Sequence, residues 1–160
     1  MTISKTSVIV ILLKLAGKLP LGVAQAIGRF LGRLGWWLPT EAKIVTKTNL
    51  AICYPELDTA SRRALAKTSL RHTGETLMEI PLMWEWPVEK CLNLIQSVEG
   101  TEHLQAAVDN GQGLILLAPH LGNWELAGLY FSSRYKMAAL YSPPNMPEFE
   151  DYMIKVRGRL

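Results

Sequence analysis

Residues 118–125, with the sequence APHLGNWE, place His120 five positions before Glu125. An imidazole titrates near neutral pH, so His120 can take a proton from a hydroxyl group. A carboxylate beside the ring can hold it in one tautomer and stabilise the imidazolium that forms. The pair therefore predicts general base catalysis, with His120 as the base and Glu125 as its orienting partner.

Other interpretations of this pair stay open. His120 and Glu125 can also be a solvated pair at a helix start, where the helix dipole favours a carboxylate. A metal site is disfavoured, because HExxH is absent and the other two histidines have no ligand spacing to His120. There is no GxSxG elbow, and neither Cys53 nor Cys91 lies in a segment like a nucleophile turn. The residues favour direct attack by a hydroxyl, with no metal, no cofactor and no acyl-enzyme.

The elements around the pair follow from the apolar patterns. Residues 113–118 (GLILLA) are a short apolar run between a glycine and a proline, which predicts a buried strand ending just before His120. The pattern that follows predicts a helix near 123–133, with Glu125 in its first turn. The same criteria predict strands near 93–99 and 137–142 and helices near 102–109 and from about 147.

This alternation predicts the fold class α/β, with part of a parallel or mixed sheet joined by crossover helices. In such sheets ligands gather at the carboxyl ends of the strands, so His120 and Tyr141 are expected at one edge. The first half of the chain is predicted to be helical. Its predicted helices lie near 3–16, 21–37, 41–53 and from Asp58 or Thr59 to about Glu79, before Pro81.

The amino-terminal segment predicts contact with a membrane surface. The apolar run at residues 8–13 is shorter than the roughly 20 residues that span a bilayer, which favours a monotopic anchor. Residues 21–37 combine an apolar stripe with arginines and end in Trp36 and Trp37, which suits an anionic leaflet. An ordinary core helix with two surface arginines is the alternative. We therefore divide the chain into a membrane-associating segment, 1–37, and part of an α/β domain, 38–160.

Composition agrees with a membrane neighbour and narrows the classes of partner. Hydrophobic residues make up 49% of the chain and charged residues 19%, below the roughly one quarter usual in soluble domains. The formal net charge of +3 is spread along the chain, so no stripe for nucleic acid is predicted. The two cysteines show no close motif, which predicts reduced thiols in a cytosolic setting.

The segment ILLAPHLGNWELAGLY, followed by ALYSPPNMP, closely resembles the bacterial lipid A late acyltransferases of the glycerolipid acyltransferase superfamily. That superfamily carries a histidine, four residues and then an acid. Residues 49–50 with 53–57 (NL and CYPEL) and residues 98–104 (VEGTEHL) are similar to earlier segments of the same family.

The resemblance implies transfer of a fatty acyl group from acyl carrier protein to a hydroxyl of a lipid A precursor, at the cytoplasmic face of the bacterial inner membrane. It implies that His120 is the base and that Glu125 supports it. Tyr141 and Arg157 are assigned by the same resemblance to substrate binding, and Asn123, at the start of the helix that carries Glu125, is a further candidate for substrate binding. Two departures stand beside Tyr141, since Ser142 replaces a usual arginine and Asn145 stands where a basic residue is common.

Arg159 competes with Arg157 for the role of the family's active-site arginine, and a basic surface on an amphipathic helix is the alternative for both. The family is longer than this chain by resemblance, so we expect an incomplete fold that is poorly active on its own. Two rival functions stay open: acylation of another glycolipid, such as a mannosylated phosphatidylinositol, and a non-catalytic membrane-associated module.

Overall fold

The computed structural model describes residues 4–111 and 113–159, and these ranges contain eight α-helices. Helix predictions for both halves of the chain are confirmed to within about two residues at each start, although residue 3 lies outside the described residues. The helices are α1 (Lys5–Ala16), α2 (Leu21–Trp37), α3 (Glu41–Cys53), α4 (Thr59–Glu85), α5 (Val88–Leu92), α6 (Thr101–Asp109), α7 (Trp124–Ser132) and α8 (Pro147–Arg157).

The prediction of a parallel or mixed sheet is wrong, because the described residues contain no strand. The predicted strands near 93–99, 113–118 and 137–142 fall mainly in irregular or turn segments. A strand is stable only when its backbone groups pair with a neighbouring strand, and the described residues show no such pairing. Ile115 and Leu117 are 89% and 86% exposed, so the run that predicted a buried strand lies at the surface.

Polar caps fix where several helices begin. The Thr40 hydroxyl accepts a hydrogen bond from the backbone N–H of Lys43 at the start of α3. The Asp58 carboxylate accepts hydrogen bonds from the Ser61 hydroxyl and from the backbone N–H groups of Ser61 and Ala60 in the first turn of α4, and these bonds lower its pKa. Such caps satisfy N–H groups that have no partner within the helix, and they are readable from sequence.

Helix α4 is the central element, since α1, α2, α3, α5, α7 and α8 all pack against it. It continues through Pro81 to Glu85, whereas the sequence predicted an end near Glu79. Proline inside a helix removes one hydrogen bond. Here burial of the turn that contains it offsets this cost, because Leu82 and Met83 are almost fully buried.

Helices α2 and α4 approach closely along a row of small residues. Gly28 lies against the backbone of Gly74, and Gly32 lies against the backbone of Leu70 and Arg71. A Cβ atom at either glycine of α2 would overlap a carbonyl group of α4. The buried side of α2 is therefore built from small residues spaced by four, with Trp36 at its end.

The predicted apolar stripe of α2 does not face the protein interior as a whole. Ala24 is buried, but Ile27, Leu31 and Leu34 are exposed, and α1 exposes several aliphatic side chains as well. Within the described residues no helix combines the length and the apolarity that crossing a bilayer requires.

Candidate active site

A cleft of about 630 Å³ lies between the end of α4, the helices α7 and α8, and the irregular segments around residues 118 and 140. Its lining includes His120, Glu125, Tyr141 and Arg157. The sheet that was expected to bring these residues together is absent from the described residues, yet four of the five predicted site residues meet in this cleft. Packing of α7 and α8 on α4 positions Glu125 and Arg157, whereas His120 and Tyr141 lie in irregular segments beside these helices.

Glu125 lies in the first turn of α7 and is 9% exposed. Its Oε2 atom accepts hydrogen bonds from Trp84 Nε1 at 2.9 Å and from Arg157 Nε at 3.2 Å. Its Oε1 atom accepts from the Arg157 guanidinium as well, which makes the ion pair bidentate. A buried carboxylate needs such partners, because burial of an unpaired charge is costly. Glu125 thus joins α4, α7 and α8 at the cleft.

His120 is exposed and lies at the mouth of the cleft. The His120 and Trp124 rings are nearly perpendicular and make a T-shaped contact, with ring centroids 4.8 Å apart. Among residues 4–111 and 113–159 no hydrogen bond joins His120 to Glu125. The expected orienting role of Glu125 stays a prediction, while accessibility of the imidazole suits a base that must reach a substrate.

Arg157 is the last residue of α8 and Arg159 follows the helix, and the two candidate arginines contact different groups. Arg157 is 41% exposed at its side chain, pairs with Glu125, and holds its guanidinium 5.6 Å from the centre of the Trp84 ring. Arg159 donates hydrogen bonds to the backbone carbonyls of Val156, Trp86 and Met83 at 2.6 to 2.7 Å. Arg159 therefore binds backbone carbonyls at the end of α4 and in α8 with all three of its guanidinium nitrogens. Arg157 uses only two nitrogens for Glu125 within the described residues, and its third nitrogen can donate to a ligand in the cleft.

Of the other two predicted substrate-binding residues, Tyr141 lies in the cleft and Asn123 does not. Tyr141 is exposed and lines the cleft. Asn123 caps α7 through its Oδ1 atom, which accepts from the Leu126 N–H at 3.1 Å, and its amide nitrogen donates to Glu79 at 3.0 Å. Both ends of the Asn123 amide are thus engaged within the protein, and Asn123 is outside the cleft lining.

Trp84 is a site residue that the sequence did not reveal. It is buried, donates to Glu125 and packs edge-on against Tyr152 with ring centroids 5.7 Å apart. The only signal in the sequence was an aromatic cluster at residues 83–87, which suits a core equally well. A buried indole N–H requires an acceptor, but the sequence does not say which acceptor lies near it.

The sequence model for bacterial lipid A biosynthesis acyltransferases matches residues 2–160, which is nearly the whole chain. The chain belongs to this family. The resemblance read from the motif is thereby confirmed.

Curated relatives agree with the family assignment. The chain is 28% identical over 144 residues to a lipid A biosynthesis lauroyltransferase of Escherichia coli, which covers 89% of this chain and 46% of the relative. It is 25% identical over 143 residues to a lipid A biosynthesis palmitoleoyltransferase of the same organism, with the same coverage. The chain spans about half the length of the curated relatives it matches.

A shorter similarity extends to a different acceptor class. Over 38 residues the chain is 42% identical to a phosphatidylinositol mannoside acyltransferase of Mycobacterium tuberculosis, which covers 24% of this chain and 12% of the relative. No solved structure matches the chain.

Proposed function

We propose that this chain carries the general base of an O-acyltransferase that moves a fatty acyl group from a thioester to a hydroxyl of a lipid A precursor. The observation that carries this proposal is the cleft, where an exposed imidazole lies with a buried carboxylate and a guanidinium in a chain of this family. Acyl carrier protein is the proposed donor of the acyl group.

The proposed reaction uses His120 to move one proton. The imidazole takes the proton of the lipid hydroxyl as the oxygen attacks the thioester carbonyl carbon. The tetrahedral intermediate then collapses, the C–S bond breaks, and the imidazolium returns its proton to the leaving thiolate. The products are an ester and a thiol, so atoms and charges balance without a covalent enzyme intermediate.

Glu125 has room for the role proposed for it. A carboxylate offers about four acceptor positions, and the hydrogen bonds from Trp84 and Arg157 occupy three of them. One position remains for a ring N–H of His120 when substrate is bound. A negative charge at Glu125 stabilises the imidazolium, and this is the state that the reaction must pass through.

Arg157 is the proposed cation for the substrate. Its guanidinium donates to Glu125 through Nε and Nη2, and its third nitrogen makes no hydrogen bond within the described part of the chain. A planar guanidinium suits a phosphate group or the oxyanion of the tetrahedral intermediate. Tyr141 lines the same cleft and is proposed to contact the same substrate.

We also propose that the chain works at the cytoplasmic face of the inner membrane. Leu12 and Leu15 on α1 and Phe30 and Trp37 on α2 are exposed, and such apolar side chains beside arginines suit an anionic leaflet. The acceptor is itself a lipid, so an enzyme at this surface meets it without extracting it into water.

A second acceptor class is favoured by one observation. The local similarity to a phosphatidylinositol mannoside acyltransferase is higher in identity, although shorter, than the similarity to the lipid A enzymes. The same base and thioester chemistry would serve a mannose hydroxyl. The acceptor therefore has to be varied in any assay.

The test measures acyl transfer by the full chain. The donor is acyl carrier protein that carries a radiolabelled acyl group, and a lipid A precursor and a mannosylated phosphatidylinositol are offered in parallel as acceptors. Substitution His120→Ala is expected to lower the rate by about 10² to 10⁴, the usual range for general base catalysis. His103→Ala is the matched control, because His103 is 87% exposed at its side chain and lies outside the cleft lining.

The control variant is expected to keep the wild-type rate. A wild-type chain that transfers no acyl group to either acceptor would contradict the proposal and favour the non-catalytic module. Equal rates for the two histidine variants would show that His120 is not the base. Preference for the mannosylated lipid would leave the base assignment standing and replace the proposed acceptor.

A further inference from the structure

A second cavity, of about 520 Å³, lies where the end of α2 meets α3 and the start of α4. Four cationic side chains line it together with two indoles. Trp36 is buried and forms the wall, whereas Trp37 is 77% exposed at the rim. The cations that line the cavity are Lys43, Lys47, Arg62 and Arg63.

Three cations surround the Trp36 ring. The Nζ atoms of Lys43 and Lys67 lie 5.3 Å and 5.4 Å from its centre, and the Cζ atom of Arg63 lies at 5.7 Å. A ring face attracts cations at such distances. The indole therefore gathers positive charges that would otherwise repel one another.

These cations have no carboxylate partner within the described ranges, since the ion pairs there involve other basic residues. Arg62 is held in place by hydrogen bonds to the backbone carbonyls of Tyr54 and Pro55, at 3.3 Å and 3.2 Å. The nearby Asp58 carboxylate is engaged by the first N–H groups of α4 and by the Ser61 hydroxyl. The cavity is thus lined by four cations and, among the described residues, by no carboxylate.

We propose that this cavity binds the phosphate of an anionic membrane lipid headgroup. Lysine and arginine are the residues that bind phosphate oxygens, and a cavity of this volume falls in the usual range for small ligands. The apolar surface of α2 favours a lipid over a free ion, because the lining residue Trp37 is exposed and Phe30 and Leu34 are exposed on the same helix. Exposed tryptophan beside basic residues is typical of the membrane interface, where the acyl chains of a bound lipid would lie.

The cavity is separate from the proposed active site. Arg63 and Trp84 are roughly 20 residues apart on α4, which is about 30 Å along the helix at about 1.5 Å per residue. The inference therefore concerns how the chain is held on a membrane, and it goes beyond the proposed acyl transfer. Either proposal can fail while the other stands.

The test compares binding of the full chain to vesicles of phosphatidylcholine alone and to vesicles that also contain phosphatidylglycerol. The double variant Lys47→Glu with Arg63→Glu reverses two exposed charges of the cavity. The matched control, Lys136→Glu with Lys155→Glu, changes the net charge equally at exposed positions outside both cavities. Far-ultraviolet circular dichroism checks that both variants fold.

We expect the cavity variant to lose at least about tenfold in affinity for the anionic vesicles, and we expect the control to lose much less. Equal losses in the two variants would overturn the proposal, because they would reflect net charge alone. Inorganic phosphate is titrated separately, with the Trp36 indole N–H followed by nuclear magnetic resonance. If inorganic phosphate saturates the cavity at concentrations as low as those of phosphatidylglycerol, the proposed lipid site would also be overturned. A cavity variant that keeps vesicle binding and loses binding to acyl carrier protein would overturn it as well.

Discussion

Glu125 and Arg157 form the contact on which the shape of the cleft depends. The carboxylate is almost buried, and its charge is balanced by one guanidinium and one indole N–H. Because these partners come from α4 and α8, the contact fixes both helices against the first turn of α7, which follows the segment that carries His120. The residues proposed for chemistry are thus also residues that hold the local fold.

Substitution Arg157→Ala is expected to lower the free energy of unfolding. Removal of one partner from a buried ion pair costs about 3 to 5 kcal/mol, and partial exposure of Arg157 reduces this to about 1 to 2 kcal/mol. Urea unfolding measures the difference, with Lys155→Ala on the same helix as the control. In the double variant Glu125→Gln with Arg157→Ala, part of the loss should be recovered, because no carboxylate is left unpaired. A loss equal to that of Lys155→Ala would contradict this account.

The lowered pKa of Glu75 predicts how the stability of the fold depends on pH. Burial raises its pKa, but hydrogen bonds and positive charge from Arg29 and His72 outweigh burial, so the net pKa lies below the ordinary value. Arg29 Nη1 and His72 Nδ1 lie 2.8 Å and 2.5 Å from its carboxylate oxygens. Because the folded-state pKa is the lower one, Glu75 contributes stability above its ordinary pKa of about 4.5, and this contribution is lost as the pH falls through the folded pKa.

Thermal unfolding of Glu75→Gln should therefore show a clear loss of stability at pH 7 that shrinks at pH 3. Glu102→Gln is a suitable control, because Glu102 is 72% exposed at its side chain and its ion pair in the described part of the chain is a long one, with His103 at 3.6 Å. A loss at Glu75 that is the same at both pH values would contradict the assigned cause.

At the scale of elements, the contact between α2 and α4 depends on the absence of side chains. Substitution Gly28→Ala places a Cβ atom into the backbone of Gly74. Such overpacking typically costs about 1 to 3 kcal/mol. Gly22→Ala is the matched control on α2, since a Cβ atom there meets nothing within 4 Å, and alanine favours a helix over glycine.

Chemical unfolding is expected to show Gly28→Ala less stable than wild type and Gly22→Ala unchanged or more stable. Equal stabilities for the two variants would show that the helices can move apart at no cost. That result would contradict the close approach of α2 and α4.

Elements that depend on local signals were predictable from the sequence. Thr40, Asp58 and Asn123 cap helices where the sequence predicts helices to begin. The prediction of strands was wrong because a strand needs a pairing partner, which a local pattern cannot specify. The run at 113–118 is also rich in leucine, which favours helices and strands alike.

The whole molecule divides into a well-packed part around α4 and exposed irregular segments. With partners among the described residues, the N–H groups of 113–118 and 136–144 make no backbone hydrogen bonds, whereas α2 and α4 are continuous helices. Hydrogen exchange should therefore be fast in these two segments and slow at buried positions of α4. Slow exchange across 113–118 would contradict the all-helical description.

The candidate site was predicted in part, and the reason lies in distance along the chain. His120 and Glu125 are near neighbours in sequence, and Tyr141 and Arg157 were found through the resemblance to a family. Trp84 is 41 residues from Glu125, and only the fold brings them together. The cleft is formed by packing of α7 and α8 on α4, although the sequence predicted a sheet edge.

Chemical rescue tests the central claim, that His120 is the base of an acyl transfer, most directly. The variant His120→Gly leaves space at the mouth of the cleft, and the rate of acyl transfer is measured as imidazole is added from solution. We predict a rate reduced by at least about a hundredfold that rises with imidazole concentration, while His103→Gly remains active and does not respond. A His120→Gly variant as active as wild type without added imidazole would contradict the claim.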